Sequence, residues 1–318
     1  MHAVITPDAT SPLRYVELPS LPLRRGEVRV KVRAVGVNPV DWKMRGISPL
    51  GLARRLLGPP GPVILGLDFA GEVAELGADV GDLQVGDRVV GGTNFSRGQR
   101  GSYAEEVIVR PDQCAKLPDA VGFDEAACLP VPGVTAQVAL VDIGGVPSTP
   151  GARVLVLGAS GGVGVMAVQL AVALGAKPVG VCSTRNADFV RGLGAEVIDY
   201  TAGDVFGRAR ALGPYALVID AVGTDAYPLR DSLSVLSPTG RIVLVVTSPR
   251  DYLSVVTSRR VHTVLGRPTR AALDPLVALV ASGKLKPVIA DRLPLAEAEE
   301  ALKRSQGGKV VGKLILHP

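Results

Sequence analysis

The residues whose types and spacing point most directly to chemistry are small ones. Val154-Leu155-Val156-Leu157 runs into Gly158-Ala159-Ser160-Gly161-Gly162-Val163-Gly164. An apolar run of the fully buried strand type enters a glycine-rich turn. An apolar helical stretch, Gly164 to Leu174, leaves it, with Gly175 as the C-cap. The spacing is that of G-x-G-x-x-G, with Ala159 in the first glycine's place. Gly161, lacking a side chain, lets a pyrophosphate approach the backbone, and Gly164 lets the helix pack closely on its strand. The turn through Gly162 and Val163 and the N-terminus of that helix at Gly164 offer free N–H groups and a partial positive charge to phosphates, and the Ser160 hydroxyl is a further donor. A glycine string alone is weak evidence for dinucleotide binding, and its other reading is a plain structural turn. The strand–turn–helix context around it makes the dinucleotide reading the stronger one.

The next strand chooses the dinucleotide. Proteins that read NAD place an acid at the end of that strand, about 20 residues after the glycines, to hold the ribose 2′-hydroxyl. Here Pro178 to Cys182 is followed by Ser183-Thr184-Arg185, with no acid. Two hydroxyls and a guanidinium suit a 2′-phosphate, so NADPH is expected rather than NADH. Arg185 can also be read as an exposed residue at a helix start. Tyr200, at the end of the third strand, can pack against the adenosine or simply rim the core. Cys182 reads as a small apolar filler.

Metal and covalent chemistry find little support. The cysteines are Cys114, Cys128 and Cys182, far apart, and the histidines are His2, His262 and His317. Four-cysteine structural zinc is impossible, and catalytic zinc needs three N, S or O ligands. No metal is expected. An odd cysteine set without Cys-x-x-Cys argues against a disulfide framework and fits a reducing, cytoplasmic setting. None of the six tyrosines has a lysine four residues on, which excludes the Tyr-x-x-x-Lys chemistry of short-chain dehydrogenases.

Composition sets the outer limits. The chain has 318 residues, 47% hydrophobic and only 20% charged, enough for a sizeable core and incompatible with a disordered polymer. Net charge is +5, but Lys and Arg cluster in pairs at most, as in Arg24-Arg25, Arg54-Arg55 and Arg259-Arg260. With aromatics at 4%, no stacking platform for nucleic acid is expected. The apolar run Val163 to Leu174 is too short to span a bilayer, and the N-terminal residues lack a signal-type stretch, so no membrane partner is expected.

The elements that must position these residues fall into two styles. Up to about residue 120, short strands and turns dominate: Val28 to Val35, Phe69 to Leu76, Gln84 to Val90 and Tyr103 to Val109. In the first of these, Val28, Val30, Val32 and Ala34 alternate with Arg29, Lys31 and Arg33, the mark of a half-buried strand. Helices are expected over Asp124 to Cys128 and, after a Pro-Gly break, over Pro132 to Leu140. From Arg153 strands and helices alternate. Further strands are expected at Glu196 to Tyr200, Tyr215 to Asp220 and Arg241 to Thr247, with a short helix at Ala187 to Gly192. That rhythm predicts a parallel sheet with right-handed crossovers. An edge strand around Arg260 to Leu265 carries His262. Helices at Leu273 to Ser282 and Leu295 to Ser305 and a strand at Lys313 to Leu316 close the chain.

These features resemble the zinc-free medium-chain dehydrogenases/reductases, in particular the quinone oxidoreductase and ζ-crystallin group and its enone reductase relatives. The resemblance runs through Gly36-Val37-Asn38-Pro39-Val40-Asp41, Gly66-Leu67-Asp68-Phe69-Ala70-Gly71, Gly86-Asp87-Arg88-Val89, Leu129-Pro130 to Thr135-Ala136, the glycine turn, Leu193-Gly194-Ala195, Ser237 to Arg241, and Gly312-Lys313-Leu314-Ile315-Leu316. It implies an α/β fold: a GroES-like, mostly-β catalytic domain (1–122 with 267–318) and a Rossmann domain with a doubly wound parallel sheet (123–266). Zinc members use a Cys in the Gly36 to Asp41 segment and a His-Glu pair in the Gly66 to Gly71 segment. Here Asn38, Leu67 and Asp68 stand there, and a further cysteine is replaced around Pro132.

The resemblance also nominates site residues. Asn38, at the lost zinc cysteine, could donate to a substrate oxygen or the nicotinamide ribose, or be an ordinary Asn-Pro turn residue. Thr135 matches a position beside the nicotinamide, or faces the core. Lys43 stands where relatives often carry Tyr; it could donate to the substrate oxygen, or be a surface lysine. Trp42, the sole tryptophan, walls the pocket or packs. Asp68 caps or pairs with a neighbour. Val222, Gly223, Val245 and Val246 match loops that face the cofactor. The loops Met44 to Pro60 and Gly91 to Gly101 would shape the pocket.

The expected activity is zinc-independent hydride transfer from NADPH to a quinone or related electron-poor acceptor. Without a Lewis acid, alcohol oxidation lacks a means to stabilise an alkoxide, whereas quinone reduction asks mainly for orientation and exclusion of water. A 2-alkenal or enoyl reductase is an alternative on the same fold and cofactor. A weakly catalytic NADPH-binding protein with a structural or regulatory role is another. A homodimer, paired along the strand at Val261 to Leu265, is expected.

Overall fold

The computed structural model describes residues 1–7, 11–45, 56 and 62–318. The chain divides into two compact units. Unit 1 comprises Met1–Val131, Arg267–Gly283 and Pro287–Pro318; unit 2 comprises Pro132–Gly266 and Lys284–Lys286. Most of the expected loop from Met44 to Pro60 lies outside the described residues.

Unit 1 opens with strands β1 (His2–Thr6), β2 (Arg14–Glu17), β3 (Val28–Gly36), β4 (Val63–Ile64), β5 (Asp68–Leu76), β6 (Arg88–Gly92), β7 (Glu106–Val109) and β8 (Cys114–Lys116). β2, β1 and β4 form a small antiparallel sheet. β3 forms the larger sheet with β5, which continues through β6 to β8, and it also pairs with β7. The alternation read from the sequence is what the sheet uses: Val28, Val30, Val32 and Ala34 are buried, while Lys31 and Arg33 are exposed. Beyond Ala34 the strand is buried on both faces: Val35 packs in the apolar core, and Gly36 lies against the polar cluster described below.

Unit 2 contributes β9 (Arg153–Leu157), β10 (Lys177–Cys182), β11 (Glu196–Asp199), β12 (Tyr215–Asp220), β13 (Leu236–Leu244) and β14 (Val261–Thr263). All pairs are parallel, in the order β11-β10-β9-β12-β13-β14. This is the doubly wound order, reversing at β9/β12. Val154 to Leu157 are fully buried, as a central parallel strand covered on both faces requires. The chain then returns to unit 1, where β15 (Ile289–Pro294) and β16 (Lys313–His317) complete the larger sheet beside β3.

Three differences from the sequence expectations have physical causes. The units divide at Val131/Pro132 rather than near 123, because Phe123–Ala126 packs on β3 and β5 and the Val131 N–H donates to Asp68. One helix runs unbroken from Pro130 to Gln137 despite Pro132 and Gly133, since both prolines fall in the first turn, where a missing N–H costs nothing. It continues into a π-helical turn, Val138–Ile143. β13 begins at Leu236 and ends at Leu244, so Val245 to Thr247 follow the strand instead of closing it.

Candidate active site

Unit 1 buries a set of polar side chains from four separate segments. Asn38 follows β3, Asp41 lies in the short helix Pro39–Arg45, Asp68 starts β5, and Lys313 starts β16. Asp41 and Asp68 are fully buried, Asn38 is 2% exposed and Lys313 4%. The Lys313 ammonium donates to Asn38 Oδ1 at 2.6 Å, the Val37 carbonyl at 2.7 Å and Asp68 Oδ2 at 3.2 Å. Asn38 Nδ2 donates to Asp68 Oδ2 at 2.8 Å and the Gly36 carbonyl at 3.2 Å. Asp68 Oδ1 accepts from the Val131 N–H at 2.9 Å. Asp41 Oδ2 accepts from the Asn38 N–H at 2.8 Å and from the fully buried Tyr103 hydroxyl at 3.1 Å. Gly36 is required for this approach, since a Cβ there would lie 2.4 Å from the Ala127 carbonyl oxygen and 2.9 Å from Asp68 Oδ2.

The electrostatics follow from burial. Desolvation pushes the Asp41 carboxyl up to about 7, opposed by the Asn38 N–H and reinforced by the charge of Asp68. Desolvation also raises Asp68, against the pull of Lys313 and Asn38. The Tyr103 hydroxyl is pushed well above its usual value by burial and by the neighbouring Asp41. Asp41 Oδ1 is buried with no hydrogen-bond partner among the described residues.

Both amide hydrogens of Asn38 are taken up by Asp68 and Gly36 in this structure. Lys43 follows two residues after Asp41 and is half-buried, with its Nζ 5.5 Å from the centre of the Trp42 ring. Burial lowers its pKa from the ordinary lysine value. Thr135 belongs to unit 2 and is buried; a Cβ on Gly266 would lie 3.2 Å from its Oγ1.

In unit 2, parallel pairing puts the ends of β9 to β13 on one edge, and the remaining predicted residues gather there: the glycine turn after β9, Ser183, Thr184 and Arg185 after β10, Tyr200 after β11, Val222 and Gly223 after β12, and Val245 and Val246 after β13. The helix runs from Gly162 to Ala173, and no side chain caps its N-terminus. Gly164 is where close packing was expected: a Cβ there would lie 2.1 Å from the Gly158 carbonyl oxygen and 2.7 Å from the Ala159 Cα. A Cβ on Gly161 would meet only the Gly158 oxygen, at 3.5 Å, so the turn is open there, which fits an approaching pyrophosphate. Ser160 Oγ accepts from Asn186 at 3.0 Å and keeps its own hydrogen for a further acceptor. The Ala159 side chain is fully buried against Gly180 of β10.

The sequence reading missed several residues that organise these loops. Thr184 Oγ1 donates to Asp199 Oδ2 at 2.6 Å, so its hydrogen is already committed. Hydrogen bonds from Thr184 and Thr201 hold the Asp199 carboxyl below the usual range. Asp199 was legible only as the last strand residue before Tyr200. Arg185 is exposed and makes no ion pair among the described residues, and Tyr200 is half exposed. Lys313 was signalled only by a charge at the head of an apolar run.

Comparison with known proteins agrees with this architecture. Residues 24–119 match the alcohol dehydrogenase GroES-like domain, and residues 193–316 match a family described as zinc-binding dehydrogenase. The chloroplast envelope quinone oxidoreductase homolog of Arabidopsis thaliana is 34% identical over 96% of this chain and 94% of its own. The chain belongs to the quinone oxidoreductase group of the medium-chain dehydrogenases/reductases and is a quinone-reductase-like enzyme. The mitochondrial NAD(P)H oxidoreductase RTN4IP1 of Danio rerio is 33% identical over 96% of this chain and 87% of its own. The structure of the quinone oxidoreductase from Coxiella burnetii superposes with a TM-score of 0.89 at 33% identity, covering 100% of this chain and 99% of that one.

The family description raises the question of zinc, and the donor set of this member of the group does not fit it. Asn38, Leu67 and Asp68 are a poor set of zinc ligands, and the Lys313 ammonium already binds both Asn38 and Asp68. Among the described residues, no three His, Cys, Asp or Glu side chains are grouped so as to hold a metal ion.

Proposed function

We propose that the enzyme is a zinc-independent, NADPH-dependent reductase of quinones or related electron-poor acceptors. The observation that carries the cofactor reading is the shared edge of the parallel sheet in unit 2. It gathers the open glycine turn, Ser183, the exposed Arg185 and the exposed Tyr200. Arg185 and Ser183 supply a cation and a hydroxyl for a 2′-phosphate. The Lys313 contacts with Asn38 and Asp68 support zinc independence, since a metal there would face a fixed positive charge.

When bound, the reduced nicotinamide supplies a hydride. Hydride and one proton together convert a quinone to its hydroquinone. Lys43 is the residue proposed to give the proton or to hydrogen-bond the developing oxyanion, because partial burial eases loss of its proton. Thr135 is proposed to pack beside the nicotinamide. Asn38 is proposed to act through position, holding the turn that precedes Asp41 and Lys43.

Asp199 supports a second cofactor reading. Its carboxylate, beside Thr184, offers an acceptor for a ribose 2′-hydroxyl and would favour NADH. The experiment is oxidation of NADPH and NADH by metal-analysed protein with 1,2-naphthoquinone, 9,10-phenanthrenequinone and a short 2-alkenal. Turnover of NADPH with a quinone is the expected result. Turnover with the alkenal alone would move the assignment to enone reduction. Binding without turnover would favour the weakly catalytic reading, and a preference for NADH would reject the 2′-phosphate site.

The enzyme is further proposed to be a homodimer in a reducing, cytoplasmic compartment. β14 is the open edge of its sheet, and Leu253, Val256 and Leu265 are exposed nearby in the chain, which suits pairing with a second copy. The three cysteines are free and buried. Among the described residues, no helix is long and apolar enough to cross a membrane. Small-molecule acceptors, not nucleic acid, are the proposed partners.

A further inference from the structure

Two loops of unit 2 follow neighbouring strands and are joined by a buried carboxylate. Asp251, only 4% exposed, accepts from Thr224 Oγ1 at 2.9 and 3.0 Å, from the Ser248 N–H at 2.7 Å and from Ser248 Oγ at 2.9 Å. Thr224 belongs to the loop after β12, and Ser248 to the loop after β13. The base of the first loop is shaped by Asp220, whose Oδ1 accepts from the Val222 and Gly223 N–H groups at 2.9 and 2.8 Å. Gly223 has φ +119°, and a Cβ there would lie 3.2 Å from Val246 Cγ1, so the loops also approach each other closely at this point. At the surface Arg250 pairs with Asp225, linking the same two loops again.

In a doubly wound sheet each half takes one mononucleotide. The glycine turn and Ser183 to Arg185 belong to the β9–β11 half, which leaves the β12–β14 half for the nicotinamide mononucleotide. On the strength of the cofactor reading above, we infer that the Thr224–Asp251 contact is a positioning latch for the nicotinamide half of the dinucleotide. Thr224 acts through the loops and not by contact with the cofactor. It fixes the spacing between Val222 on one loop and the backbone of Val245 and Val246 on the other. The contact is a hydrogen bond to a buried carboxylate, strong enough to hold two loops in one arrangement. Asp251 keeps the Ser248 donors if Thr224 is lost.

The test uses Thr224→Val, which keeps the shape and removes the hydroxyl, and Thr224→Ser, which keeps the hydroxyl. Each is titrated calorimetrically with NADPH and with 2′,5′-ADP, which lacks the nicotinamide. Thr224→Val is expected to weaken NADPH about tenfold and leave 2′,5′-ADP unchanged, and Thr224→Ser to restore wild-type binding. Equal weakening of both ligands, or a lower Tm with no change in either, overturns the latch. Failure of the unsubstituted protein to bind NADPH or NADH overturns the cofactor reading itself, and that is seen before any substitution is made.

Discussion

The ammonium of Lys313 lies 2.6 Å from Asn38 Oδ1, although 275 residues separate them in the chain. Both side chains are almost wholly buried, and Asp68 completes the group. Removing one partner of a buried pair leaves an uncompensated charge, at a cost of about 3–5 kcal/mol. Lys313→Met is therefore expected to destabilise the protein by about that amount in urea unfolding. Lys313→Met combined with Asp68→Asn is expected to recover part of the loss. Additive losses would mean that the pair is not coupled.

Asp41 makes stability depend on pH. Its carboxyl is raised from 3.8 to about 7 in the folded protein, so the folded chain holds a proton that the unfolded chain has released. The contribution is fully present below 3.8, is lost as pH rises through about 7, and is flat above that. The charges of Asp68 and Lys313 and the Tyr103 hydroxyl act on this carboxyl from the elements packed around it. Asp41→Asn is expected to flatten the stability profile across this window, with a gain above pH 7 of up to about 4 kcal/mol. Unfolding curves at pH 5, 6, 7 and 8 provide the check, and an unchanged slope would sink the assignment.

The glycine turn separates a packing role from a binding role. Gly164→Ala places a Cβ 2.1 Å from a backbone oxygen and is expected to lower Tm along with dinucleotide affinity. Gly161→Ala meets nothing closer than 3.5 Å and is expected to keep its Tm while losing dinucleotide affinity. Paired calorimetry and thermal melts distinguish the two.

Arg185 is expected to discriminate between cofactors. Arg185→Ala should raise KM for NADPH about tenfold, in keeping with the loss of one charge-assisted contact, and leave KM for NADH unchanged. Parallel loss for both cofactors would remove Arg185 from the 2′-phosphate site.

Val256 is 82% exposed on the helix Asp251–Thr257, close in sequence to the open edge strand β14. Val256→Asp is expected to lower the solution mass from dimer to monomer in light scattering. A monomeric unsubstituted protein would reject the dimer outright.

Sequence periodicity by itself determined the two structural styles. The alternation of Val28 to Ala34 and the apolar run of Val154 to Leu157 are local patterns, because side-chain direction in a strand repeats every two residues and a covered parallel strand is apolar on both faces. The glycine turn was legible for a similar reason: its spacing is set by a few consecutive backbone conformations. Strands β1, β2 and β15 carried no such pattern. They are short, and β2 and β15 are largely exposed, so pairing partners rather than their own residues define them.

What Asn38, Thr184 and Thr224 do was decided only by tertiary structure. Each is a short polar residue whose local sequence allows a turn, a cap or a ligand contact. The choice rests on a carboxylate brought from elsewhere: Asp68 to Asn38, Asp199 to Thr184 and Asp251 to Thr224. Lys313 shows the same principle most plainly. A lysine at the head of a strand reads as exposed, because burying an ammonium is costly unless acceptors surround it. Those acceptors, Val37, Asn38 and Asp68, lie in parts of the chain that only the folded sheet, with β16 beside β3, brings within reach.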